Sequence, residues 1–161
     1  MIYYQSNLAL VRTSEYKDIK EIANFMRIED ITEIWRAAHK TPEEALLNGF
    51  KESVLCMTVE KDKKAIAMFG IIPVSYIGTH AIIWLLGTPE IEKIRRTFAK
   101  YSKRFIRKFL QYYPLLTNCV DVDNRKTIRW LKWCKAEFGK MEPYGAEQQP
   151  FLPFQFRRNY V

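Results

Sequence analysis

The sequence predicts an α/β (α+β) fold, with a mixed central sheet of about seven strands and flanking helices. Three observations carry this. Apolar runs of strand length alternate with apolar stripes at helical spacing. Two segments, Thr41-Pro42-Glu43-Glu44 and Thr88-Pro89-Glu90, have a capping threonine, then proline at the first helical position, then acid in the first turn. Between residues 80 and 122 an apolar strand, a long amphipathic segment and a second apolar strand follow one another, the order of a right-handed parallel crossover.

Each element follows from local pattern. Leu8-Ala9-Leu10-Val11-Arg12 reads as the first strand. Ser14 stands where an N-cap belongs, ahead of a stripe at Ile19, Ile22, Ala23 and Met26. A second helix over 31–38 turns Ile31, Ile34 and Trp35 inward. The capped helix from Thr41 should end near Asn48-Gly49. Residues 54–60 and 65–72 form a hairpin across the charged turn Lys61-Asp62-Lys63-Lys64. A further turn spans Tyr76-Ile77-Gly78-Thr79. The next strand, 80–86, is apolar on both faces and therefore central. From Thr88 the longest helix follows, with Ile91, Ile94, Phe98, Tyr101, Phe105 and Phe109 inside and lysine and arginine on the remaining faces. Residues 115–122 make a strand. Asp123 or Asn124 caps a helix running through Phe138, and the tail closes as a hairpin around Pro143-Tyr144-Gly145.

A chain of 161 residues implies one domain over 1–161, long enough to fold without a disulfide or metal staple. A hydrophobic share of 48% excludes an intrinsically disordered composition. The net charge of +8 favours acidic partners such as nucleic acid, an anionic surface or a phosphorylated cofactor. Cys56, Cys119 and Cys134 form no C-x-x-C pair, and His39 and His80 are the only histidines. No metal site is expected, and a reducing compartment fits. Neither a signal peptide nor a membrane span is expected.

This order of elements is similar to the GNAT acyltransferase superfamily. More narrowly, the chain resembles a family of small phage proteins grouped with internal virion protein A of short-tailed phages. The marks are Met68-Phe69-Gly70, Trp84-Leu85-Leu86-Gly87-Thr88, Asn124 followed by Ile128-Arg129-Trp130-Leu131-Lys132-Trp133, Phe138, and Pro150-Phe151 before Phe154. Arg27, Asp30, Glu33 and Ser53 also stand where that family has such residues. The resemblance implies a GNAT-fold accessory protein of a phage, acting in virion assembly or on a host partner, located in the host cytoplasm or the virion and not secreted. The alternative, second to it, is an active acetyl-CoA-dependent N-acyltransferase with a divergent loop. Acetyl-CoA would then lie against Trp84, Leu85, Leu86, Gly87 and Thr88 and the facing Asn118. Lys93, Arg95 and Arg96 would meet its phosphates, and Asn124 would stand nearby.

The residues themselves weigh on that choice. The superfamily's phosphate loop, Gln/Arg-x-x-Gly-x-Gly/Ala, should fall between Leu86 and Phe98, yet Gly87 is the only glycine there. Pro89 has no N–H, and Glu90 and Glu92 place negative charge in the expected first turn, which points to a degenerate loop. The superfamily's frequent proton-donating tyrosine, seven residues after the asparagine, is replaced by Leu131. Asn124 itself reads as an N-cap. Asp30 and Glu33 share a helix face and are either partners of an amine or a solvated pair. Tyr144 and His80 are the remaining proton-transfer candidates. Cys119 and Cys134 have no base beside them. A third reading is a nucleic-acid-binding module using the basic helices, which carry Lys93 to Lys108 and Arg125 to Lys135.

Overall fold

The computed structural model describes residues 1–75 and 77–158. Nine strands form one sheet: β1 (Ile2–Gln5), β2 (Leu10–Thr13), β3 (Leu55–Lys61), β4 (Lys64–Pro73), β5 (His80–Gly87), β6 (Leu115–Asp121), β7 (Glu137–Phe138), β8 (Glu142–Tyr144) and β9 (Gln149–Arg157). Their order is β1-β2-β3-β4-β5-β6-β9-β7, and β8 lies beside β7 along the outer edge of β9. Every neighbouring pair is antiparallel except β5 and β6. The fold class and the central place of β5 stand as read from sequence. The count is nine rather than about seven, because the short pieces β1 and β7 are too brief to show a period of their own.

Five α-helices flank the sheet: α1 (Tyr16–Ala23), α2 (Ile28–Ala38), α3 (Pro42–Glu52), α4 (Arg95–Tyr112) and α5 (Arg125–Trp133). α1 and α3 lie on one face of the sheet, where Ile19, Ile22, Leu46 and Met68 are buried together and Ile31 and Ile34 of α2 join them. α4 and α5 lie on the other face, over Phe69, Ile71, Leu116, Val120 and Phe156. Met68 and Phe69 point to opposite faces because side chains alternate along a strand.

Thr41 caps α3 as expected, its hydroxyl accepting from the Glu44 N–H while Glu44 accepts from the Thr41 N–H. The helix does not stop at Gly49. It continues to Glu52 because the bare Cα of Gly49 lets the Trp84 indole lie against the helix, where a Cβ would come within 2.5 Å of the ring. Ser14 does not cap α1. Glu15 takes that place, its N–H donating to Asp18, and the buried Ser14 hydroxyl instead donates to the Thr58 hydroxyl, whose own proton goes to Asp18. Trp35 is not an inner residue: half of it is exposed and its ring stands over His39.

Two further boundaries differ. The helix expected from Thr88 begins as a 3-10 helix over Pro89–Ile94, and α4 starts only at Arg95. The helix expected to reach Phe138 ends at Trp133 with Cys134 as its C-cap, because Lys135 turns left-handed (φ 71°) and sends Glu137 and Phe138 into a strand beside β9. The hairpin turn is Asp62-Lys63, both with positive φ, as a two-residue loop between twisted strands requires. Tyr76 of the other expected turn lies outside the described residues. The closing hairpin is β8 and β9, and its loop caps the C-terminus of α2. There the N–H groups of Ala146 and Glu147 donate to the carbonyls of Ala37 and Arg36. Gly145, at φ 76°, makes that approach, and a Cβ on it would meet Ala37.

Candidate active site

The site grows out of the one parallel strand pair. β5 and β6 are in register only at His80, Ala81 and Ile82, opposite Leu115, Leu116 and Thr117. Beyond Ile82 and Thr117 they part. Asn118 bridges the start of the opening, its amide donating to the Ile83 carbonyl at 2.7 Å. Further along, the Gly87 N–H donates to Asp30 at 2.9 Å and the Gly87 carbonyl accepts from the Arg27 N–H at 2.9 Å. Ile83 and Gly87 therefore both direct backbone groups into the opening. The two-residue period of a strand gives Leu85, halfway between them, the same direction for its N–H and carbonyl.

A cavity of about 740 Å³ begins at the opening and runs under α4 along the sheet, past Phe69 and Val59 to Val11 of β2. Leu85 and Asn118 line it, with Asp30 and Glu33 of α2 at one side and Arg95 and Arg96 of α4 at the other. The first turn of α4 carries no acid, and the Arg95 N–H that opens it donates to the Glu92 carbonyl of the preceding 3-10 helix. Glu90 and Glu92, expected in that first turn, sit instead on the preceding 3-10 helix, where Glu90 is held by Lys93 at 2.6 Å. Glu92 still lines the cavity beside Arg95 and Arg96, so one of the two expected carboxylates stays at the site. The extra glycines remain missing, and Pro89 still offers no N–H.

α2 supplies three charged residues at intervals of three, so Arg27, Asp30 and Glu33 share a face. Asp30 and Glu33 are not a solvated pair. Asp30 is buried, gripped by Arg27 through two hydrogen bonds of 2.8 and 3.0 Å. Burial pushes its carboxyl up, while Arg27 and the Gly87 N–H favour the ionised form. Its place is structural: it ties α2 to the end of β5. Glu33 has no cation within ion-pair distance among the described residues. It accepts from the Asn124 amide and from the Asp121 N–H, each at 3.1 Å. Burial raises its carboxyl to about 7, against the pull of those two donors.

The other candidates divide. Asn124 caps α5, accepting from the Thr127 N–H while donating to Glu33. Trp84 turns its side chain away from the opening and donates to Ser53 at 2.8 Å. Leu86 packs in the α1–α3 layer. Thr88 is buried, its N–H donating to the Ile66 carbonyl. Lys93 does not line the cavity; it is engaged by Glu90. Tyr144 is half-exposed, packs on Phe151 and hydrogen-bonds the Cys119 thiol, which burial raises to about 11. Burial likewise raises Cys134 to about 12, so neither thiol is a nucleophile in waiting. His80 meets Thr117 at the closed end of the strand pair. Leu131, in the place of the frequent tyrosine, is buried core. Arg36 joins Asp121 and Asp123, both at 2.8 Å, and so fixes α2 against the turn that presents Asn124.

Sequence reading missed Asp121 and Arg36, which gain their places only when β6 and α2 meet. No helix among the described residues is long and apolar enough to cross a membrane. Among the same residues no three His, Cys, Asp or Glu side chains gather to hold a metal ion.

No protein-family model matches the chain, and no curated protein does. Solved structures do. An acetyltransferase (GNAT family) from Bacillus anthracis superposes with a TM-score of 0.70 at 10% identity over 99% of both chains. Ribosomal-protein-S5-alanine acetyltransferase from Vibrio fischeri gives 0.71 at 12% identity, covering 99% of this chain and 97% of that one. Spermidine N-acetyltransferase from Vibrio cholerae, solved in complex with CoA and spermine, gives 0.66 at 18%, covering 96% and 98%. The chain therefore has the GNAT fold, and at these identities the likeness concerns fold alone.

Proposed function

We propose that the protein is an acyl-CoA-dependent N-acyltransferase. The observation that carries this is the parting of β5 and β6 beside Glu33, a carboxylate without a cation whose proton affinity is set near neutrality. Acetyl-CoA, when bound, supplies the acyl group as an activated thioester. Three features of the chain suit it: the Leu85 N–H and carbonyl directed into the opening, the cavity that begins there and runs under α4, and the cations Arg95 and Arg96 in its wall.

Glu33 then serves as the general base. It receives a proton from the acceptor amine, and a carboxyl near 7 is matched to that exchange at neutral pH. Asn124 and the Asp121 N–H hold it in one orientation. Asp30 and Arg27 fix the end of β5 and so position Leu85.

Calorimetric titration with CoA and acetyl-CoA, followed by transfer assays on an amine panel, tests the proposal. Saturable binding that weakens in Arg95→Ala and Arg96→Ala, with transfer lost in Glu33→Gln, is the expected result. Absence of CoA binding overturns it. The accessory role in a phage particle or on a host partner, which the resemblance implies, is then the surviving reading.

A further inference from the structure

α4 and α5 place an uncompensated positive surface on one side of the molecule. α4 contains seven lysines and arginines and no acid, and α5 contains four and no acid. These eleven exceed the +8 of the whole chain, so the rest of the molecule is net acidic. Among the described residues, Lys126 is the only one of the eleven in a salt bridge.

The charges are arranged as well as numerous. Arg96, Lys100, Arg104 and Arg107 follow one another at helical spacing and are exposed, opposite the buried Ile106, Phe109 and Leu110. At 1.5 Å per residue this stripe runs about 16 Å. Arg129 and Lys132 form a parallel exposed stripe on α5. The two helices meet through Trp130, whose indole donates to Ser102 at 3.1 Å and lies tilted 5.7 Å from the Phe98 ring. Lys103 lies over Trp133, a half-exposed ring that opens onto the same surface.

We infer that this α4–α5 face binds the sugar–phosphate backbone of nucleic acid without sequence preference. Two rows of cations on neighbouring helices suit a chain of phosphates, and an exposed tryptophan beside them suits a base. The stripe extends to the far end of α4, well beyond what a cofactor at its N-terminus would meet. A membrane surface fits less well, since an interfacial helix needs a free apolar face and that of α4 is spent on the sheet. The inference does not rest on acyl transfer.

The test is fluorescence anisotropy of labelled single-stranded and duplex oligonucleotides of random sequence against the full chain, over a salt series. With about four phosphates contacted, log K should fall against log salt with a slope of about −3 for the single strand or about −4 for the duplex. The two arms distinguish the source of the phosphates. Arg104→Gln/Arg107→Gln should make the slope shallower by about 1.5. Lys20→Gln/Lys51→Gln removes the same charge from the α1–α3 side and should leave it unchanged. Three results overturn the inference: no binding at about 50 mM salt, equal slopes in the two double variants, or tighter binding to phosphatidylglycerol vesicles than to either oligonucleotide.

Discussion

Two carboxylates, Asp18 with no exposed surface and Glu33 partly covered at the cavity wall, have opposite chemistry. Asp18 meets a guanidinium: Arg12 grips it with bonds of 2.8 and 2.9 Å, and Thr58 and the Glu15 N–H add two more. Burial works to raise it, and these partners together hold it below the usual carboxylate range. Glu33 has only neutral donors, Asn124 and the Asp121 N–H, and burial lifts it to about 7. One carboxylate is satisfied and stays charged. The other keeps a proton that it can exchange, and it is the one that faces the cavity.

The largest test removes the exchanging group. Glu33→Gln preserves shape and hydrogen bonding but cannot take a proton. Acyl transfer should fall by a factor of about 10² to 10⁴, with CoA affinity unchanged in calorimetry. A variant that transfers at the parental rate would reduce Glu33 to a structural residue like Asp18.

Next in size is the grip on Asp18. Arg12→Met leaves a carboxylate with no exposed surface and no cation beside it. Removing one partner of a buried pair costs about 3 to 5 kcal/mol, to be read from urea denaturation. Glu60, the second carboxylate on Arg12, would lose its bond as well. A loss under about 1 kcal/mol, as for a surface pair, would mean that the pair is screened and the contrast with Glu33 overstated.

The two carboxylates should also bend the stability curve in opposite senses. Asp18, lowered in the folded state, contributes stability that is present above its unfolded value of about 4 and lost as pH falls through the folded value. Glu33, raised to about 7, favours the fold fully below about pH 4, and that contribution disappears as pH rises through 7. Denaturation of the parent should therefore show a decline of about 1 to 2 kcal/mol between pH 5 and 8, after allowance for the solvent that reaches Glu33 through the cavity. The decline should shrink in Glu33→Gln, leaving the part that comes from Asp30, which burial also raises. A parent whose stability is flat over that interval would place Glu33 at an ordinary carboxylate value.

How much of this was legible differs with the range of the interaction. The helix start at Thr41, the hairpin at Asp62-Lys63 and the central β5 follow from neighbours in sequence, and they read correctly. The start of α4 did not. Thr88-Pro89-Glu90 has the composition of a helix cap, but the chain first makes a 3-10 turn that buries Ile91 and Ile94, and only then an α-helix. That shift takes Glu90 and Glu92 out of the first turn of α4, while Glu92 still lines the cavity. Trp35 satisfies an apolar spacing yet lies outward, because the β8–β9 loop rather than the sheet meets that end of α2. At the site, Asp30 and Glu33 were visible as a pair at helical spacing. Their difference was not, since it depends on Arg27 beside one and on β6 and α5 bringing Asp121 and Asn124 to the other. Ser53 and Gly49, more than thirty residues from Trp84, decide where that indole goes.

The smallest expected effect isolates the donor that tunes Glu33. Asn124 has two tasks: its oxygen caps α5 and its amide donates to the carboxylate. Asn124→Ser keeps a good cap, so stability should change by less than about 0.5 kcal/mol. The amide is lost, and with it one bond that favours the charged form, so the Glu33 carboxyl must rise further. The alkaline-going limb of the transfer rate should move up by roughly half to one pH unit, with a rate at high pH close to the parent's. A limb that stays in place would separate Asn124 from Glu33 and leave burial alone to set the proton affinity. A limb that moves down would mean the amide had been stabilising the protonated acid, reversing the direction assigned to it beside the Asp121 N–H.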